Sequence, residues 1–160
     1  MNELKLLGSL SEYYIEYGVF TSEGIKTVKI NVEGEDQNTS IEMKIGDIMF
    51  FTEYGTLTIP GTFVLEKSAS YIDNLLNDEI SDLVDEILNG EVTNESEIES
   101  YFRILCLKLE NMIQGFMKSL IQNNSRLSEI VKGDKVDDNK YIYNLEELSK
   151  YIKCRYFKRK

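Results

Sequence analysis

Leu4, Leu7 and Leu10 recur at helical spacing, which predicts a short helix within residues 1–12. From Tyr13 to Phe20 the chain is aromatic and β-branched. Ile15, Tyr17 and Val19 would share one face of a strand. Thr21-Ser22-Glu23-Gly24 is a turn signal. Val28, Ile30 and Val32 then alternate with Lys29 and Asn31, and after the polar run 33–38, Ile41, Met43 and Ile45 alternate with Ser40, Glu42 and Lys44. Alternation with period two is the mark of a strand with one buried face, so residues 13–45 predict a three-stranded antiparallel meander. The run Ile45-Gly46-Asp47-Ile48-Met49-Phe50-Phe51 is apolar on most sides, and its pattern fits a strand or a short helix equally.

Two long amphipathic helices follow. Ala69, Ile72, Leu75, Leu76, Ile80, Leu83, Val84, Ile87 and Leu88 form one stripe, and Gly90 is the expected stop. Asn94 with Glu97 fits a capping box for a second helix reaching about Gln122. Its inward stripe, from Ile98 to Ile121, is widened by Tyr101, Ile104, Leu107 and Met117, a width that suggests contact on two sides. Leu127, Ile130 and Val131 predict a separate short helical turn ended by Gly133, with a charged loop over 134–140. Tyr151–Phe157 alternates again and predicts a final strand. The expected fold is one α+β domain over 1–160. In it an antiparallel sheet of about four strands packs on two long helices, and the C-terminal strand returns to the sheet. Residues 13–63 are mainly strand, 64–123 the two helices, and 124–160 short helix, loop and strand.

Composition narrows the chemistry. Hydrophobic residues make up 42% of the chain, enough for a real core. There is no histidine, so the commonest general base and metal ligand is missing. Cys106 and Cys154 lie far apart in sequence, form no metal-ligand or redox motif, and are expected as reduced thiols in a cytosolic protein, with Cys106 a small core residue. No apolar run approaches the length of a membrane helix, and the start of the sequence does not read as a secretory signal. Phosphate-binding glycine loops and dinucleotide fingerprints are absent. Asp134, Asp137, Asp138 and Asn139 fail the spacing of a calcium loop, and Asp78, Glu79, Asp82, Asp85 and Glu86 read as a solvated helix face. The expectation is a chain without catalytic, cofactor or metal site, and not an enzyme.

Net charge is −10, yet residues 151–160 hold Lys153, Arg155, Lys158, Arg159 and Lys160 and no acid, leaving −15 on the preceding 150. Such a tail is a solvated basic end or a contact for the acidic surface of a neighbouring subunit or partner.

The segment Ile45–Leu65 carries the most information. It runs from an apolar element through Glu53-Tyr54-Gly55-Thr56 to Ile59-Pro60-Gly61-Thr62-Phe63, followed by Leu65. Gly55 permits a reversal, Pro60 presets its φ and holds Ile59 extended, and Phe63 can pack at the start of the first long helix. This segment resembles the neck and tail-completion proteins of tailed bacteriophages, also called minor tail components or virion morphogenesis proteins. That family's hallmark is an apolar run, glutamate–aromatic–glycine–threonine, then isoleucine–proline–small–arginine–aromatic–leucine at a helix start. Tyr17-Gly18-Val19-Phe20 resembles its early strand, and Leu145-Glu146-Glu147-Leu148-Ser149 running into the last strand resembles its ending. Thr62 stands where the family has arginine, and Glu146-Glu147 replace its threonine–glycine.

The resemblance implies a structural virion protein of the neck or tail region, made in the host cytoplasm. Its partners would be further copies of itself in a ring and the adjacent head–tail junction or tail-terminator proteins. DNA would pass through an acidic or neutral lumen without specific binding, and no membrane is involved. Glu53, Tyr54, Gly55, Thr56, Ile59, Pro60 and Phe63 are then the expected reversal and subunit-contact residues. Lys153, Arg155, Lys158, Arg159 and Lys160 are the expected partner contacts. The rival reading from net charge and size is an acidic DNA mimic that inhibits a nucleic-acid enzyme. A small hydrolase lacks an identifiable nucleophile–base pair.

Overall fold

The computed structural model describes residues 2–32, 39–57, 60–130 and 144–159, with backbone alone at 30–32, 39–40 and 121–130. In chain order the elements are α1 (Glu3–Leu10), β1 (Tyr13–Gly18), α2 (Thr21–Gly24), β2 (Thr27–Val32) and β3 (Thr39–Lys44). Then come α3 (Ile45–Tyr54), α4 (Val64–Leu88), α5 (Glu95–Ile130), α6 (Leu145–Ser149) and β4 (Lys153–Lys158). The architecture is mixed α and β, and the chain divides into two compact units.

The first unit comprises Met1–Tyr17, Lys67–Met112 and Cys154–Lys160. Its core gathers Leu6, Ile72, Leu83, Ile87, Val92, Ile98, Phe102, Leu105, Cys106 and Leu109, all buried. Full burial of one such aliphatic side chain contributes about 1.5–3 kcal/mol. Gly90 ends α4 with φ +75°, and the Glu91 and Val92 amides donate to the Glu86 carbonyl. The Asn94 side chain accepts the Glu97 amide at 3.1 Å. Glu97 in turn accepts the amide of Thr93 at 2.7 Å. The expected pairing of Asn94 with Glu97 is present, and Thr93 adds a further donor to it. That backbone bond holds the Glu97 carboxyl below its ordinary value.

Within this unit β4 pairs with β1. Cross-strand side chains account for the choice. Tyr14 stacks on Phe157 with centroids 5.2 Å apart, and Tyr13 lies 6.3 Å from Tyr156 and 4.6 Å from Phe102. Arg155 pairs with Glu16 at 3.4 Å, and Lys158 pairs with Glu12 at 3.5 Å and with Glu95.

The second unit comprises Gly18–Glu66 and Ile113–Lys153. Its core holds Ile45, Ile48, Met49, Val64, Ile113, Met117, Leu145, Leu148 and Ile152. Here β2 and β3 form an antiparallel hairpin with Val28 opposite Met43 and Ile30 opposite Ile41. The Ile45 amide continues the ladder by donating to the Lys26 carbonyl at 2.9 Å, and α3 starts there. Asn144 caps α6 by accepting the amides of Glu146 and Glu147.

Four expectations need correction. The strands make two separate two-stranded sheets, not one sheet of about four, because β1 finds its partner in β4 while β2 and β3 pair locally. The signal at residues 21–24 is a single helical turn. The segment expected as a separate turn near Leu127 belongs to α5, which runs unbroken to Ile130. Ile41, expected on a buried strand face, is exposed, because the hairpin ribbon leaves this end of its apolar face open. The expected stop at Gly133 and the loop over 134–140 lie outside the described residues.

Candidate functional site

The apolar run that pattern alone left ambiguous is α3, and its end meets the start of α4. Phe50, Tyr54 and the segment Gly61–Glu66 are brought together there, all within the second unit. A helix end leaves carbonyls without partners and a helix start leaves amides without partners. At this reversal each end supplies what the other lacks. The Gly55 amide donates to the Phe51 carbonyl at 2.7 Å, the Thr62 amide to Thr52 at 2.8 Å, and the Phe63 amide to Glu53 at 3.0 Å. The Thr62 hydroxyl adds a second bond to the Thr52 carbonyl at 2.9 Å. In return, the Glu53 carboxylate accepts the Leu65 and Glu66 amides, each at 3.0 Å, one on each oxygen.

Glu53 is thus the cap of a helix that begins eleven residues after it. Its side chain is only 5% exposed. A buried carboxylate is tolerable when its oxygens accept hydrogen bonds, and the positive end of the α4 dipole stabilises it further. Gly55 closes α3 with φ +86°, a conformation that favours glycine. An isolated antiparallel bridge joins Gly55 to Pro60. Phe63 takes φ +49° to turn the chain into α4.

The outer side of the reversal is aromatic. Phe50 and Tyr54 sit one helical turn apart, with centroids separated by 5.0 Å, and Tyr54 meets Phe63 edge-on at 6.2 Å. Phe50 is 57% exposed, Tyr54 61% and Phe63 38%, and Leu57 stands fully in solvent. The expected motif residues therefore divide by role. Glu53, Gly55 and Pro60 build the turn, while Tyr54 and Phe63 face outward. Thr56 lies in the connecting loop, and Ile59 lies outside the described residues. Phe50 and Gly61 belong to the site as well. Helical spacing to Tyr54 could have flagged Phe50, but nothing in the sequence marks Gly61 as the point of close approach.

Of the basic residues at the end of the chain, Arg155, Lys158 and Arg159 lie in the first unit and Lys153 in the second. Arg155 and Lys158 are held by Glu16, Glu12 and Glu95, and the guanidiniums of Arg155 and Arg159 lie over Phe157 and Tyr14 at 4.9 and 5.9 Å. Lys153 is exposed, and Lys160 lies outside the described residues. Of the helix acids, Glu79 accepts from Lys108 Nζ at 2.6 Å and from the Tyr101 hydroxyl at 3.0 Å. The Lys108 bond holds the Glu79 carboxyl below its ordinary value, and burial, then the bond to Glu79, pushes the Tyr101 phenol up.

Among the described residues no group of three or more histidine, cysteine, aspartate or glutamate side chains is placed to hold a metal ion. No described helix is long and apolar enough to cross a membrane. Comparison with protein-family models, with curated proteins and with solved structures gives no match.

Proposed function

We propose that the chain is a structural component of a tailed bacteriophage or phage-tail-like particle, a ring-forming neck or tail-completion subunit. The observation that carries this reading is the reversal between α3 and α4. The segment with the family-like motif has a fastened inner side, where Glu53 caps α4, and an outer side that presents Phe50, Tyr54 and Phe63. An exposed aromatic cluster on a rigid support is the kind of surface on which subunits associate. Repeating one such head-to-tail contact closes a ring when the rotation permits.

The charge distribution supports passage of DNA without adhesion. The chain is acidic overall, and Arg155 and Lys158 of its basic strand are already paired with carboxylates. Cations engaged in this way have less charge to offer phosphates.

The test is to label tailed particles from the producing host with antibody against this chain and to image them. Label confined to a collar at the head–tail junction is the expected result. Phe50→Ser with Tyr54→Ser should leave the fold intact and remove the chain from particles. A monomer that never enters a particle and instead binds a basic nucleic-acid enzyme would overturn the reading in favour of a DNA mimic.

A further inference from the structure

Cys106 and Cys154 are separated by most of α5 and everything up to β4, yet the first unit brings them together. We propose that these two cysteines form a reversible intramolecular disulfide that fastens β4 to α5 when the protein meets a peroxide.

Three observations converge on the pair. Each of the Cys106 and Cys154 thiols is the chief influence on the other's ionisation. The Cys154 backbone amide donates to Glu110 Oε1 at 2.8 Å. Glu110 lies one helical turn after Cys106 on α5, so this bond docks the main chain of β4 on the helical turn that carries Cys106. Finally, Cys106 is buried and Cys154 half-buried, so Cys154 is the more open side of the pair. Oxidation would bring the two sulfurs to the bonded distance of about 2.05 Å.

The pairing also prepares the chemistry. The neighbouring Cys154 thiol draws the Cys106 thiol below its ordinary value, and Cys106 in turn pushes the Cys154 thiol up. The Cys106 thiolate attacks one oxygen of hydrogen peroxide. The O–O bond breaks, hydroxide leaves, and Cys106 becomes a sulfenic acid. The Cys154 sulfur then attacks the Cys106 sulfur, and the S–O bond breaks. The sulfenic hydroxyl departs with a proton as water, and the Cys154 proton neutralises the hydroxide released before. Two thiols and one peroxide give one disulfide and two waters. An exogenous dithiol reverses the step by exchange.

The experiment uses the full chain. Protein is exposed to increasing hydrogen peroxide, quenched, unfolded and labelled with a maleimide, and its peptides are mapped. The expected result is loss of both labels together, from two per chain to none. A peptide cross-linked between Cys106 and Cys154 should appear, the chain should stay monomeric on a non-reducing gel, and both labels should return after dithiothreitol. Cys106→Ser should keep its one label under the same exposure. Loss of a single label, sulfinic acid at Cys106, disulfide-linked dimers, or equally fast loss of the label from Cys106→Ser would each overturn the proposal.

Discussion

Gly61 lies directly against the backbone of Glu53: a Cβ on Gly61 would stand 2.5 Å from the Glu53 carbonyl oxygen and 2.6 Å from the carbonyl carbon of Tyr54. Both obstacles are main chain at the end of α3, so no side-chain rotation could relieve the overlap. Gly61→Ala must therefore pry the segment 61–63 from the α3 carbonyls. We expect a loss of about 2–4 kcal/mol by urea denaturation. Gly115→Ala is the control, since Gly115 is exposed in α5 with open space around it. That substitution should stabilise by about 0.5–1 kcal/mol.

Glu53 offers one oxygen to each of two amides, and an amide side chain can accept on only one atom. Glu53→Gln keeps the shape but turns a donor toward a donor. It should cost about 1–3 kcal/mol, measured as a shift of the urea midpoint. Asp47→Asn, on an exposed position of the same helix, should change stability by less than about 0.5 kcal/mol.

Thr52 presents the opposite case. Its hydroxyl is buried and makes no hydrogen bond, while its carbonyl is doubly served by Thr62. Thr52→Val removes an unpaired polar atom at nearly constant volume. Thermal unfolding should show a gain equivalent to about 1 kcal/mol.

The Glu79 carboxyl titrates below its ordinary value of 4.5 in the fold, chiefly because Lys108 donates to it. A lowered value means that the unfolded chain binds this proton more readily than the folded one. The stabilisation is therefore complete above about pH 4.5 and is lost as pH falls through the lowered value. Glu79→Gln should be less stable than the parent chain near about pH 7, and the difference should close on acidification. Urea midpoints across that range provide the check.

Much of the architecture was legible because it is local. The stripes of α4 and α5, the stop at Gly90, the cap at Asn94 and the alternation of β4 each depend on neighbours within a few residues. What escaped depends on partners far along the chain. Alternation identifies a strand but not its mate, so β1 was placed beside β2 although Tyr14 and Glu16 meet Phe157 and Arg155 instead. α3 is apolar around most of its girth, since it buries Ile45, Ile48 and Met49 while showing Phe50 to solvent, and no period could emerge. The motif around Glu53 was visible in the sequence, but its inner and outer halves separate only when the helix that Glu53 caps is in place. The meeting of Cys106 with Cys154 follows from the docking of β4, which no spacing rule encodes.

Because β1 takes β4 as its partner, the first unit cannot close until residues 153–158 have been synthesised. During translation β1 waits without its mate through more than a hundred residues of further elongation, its backbone donors and acceptors open to wrong pairings. Loop closure over that span makes the last step of folding a late one, timed by the ribosome rather than by the strand itself.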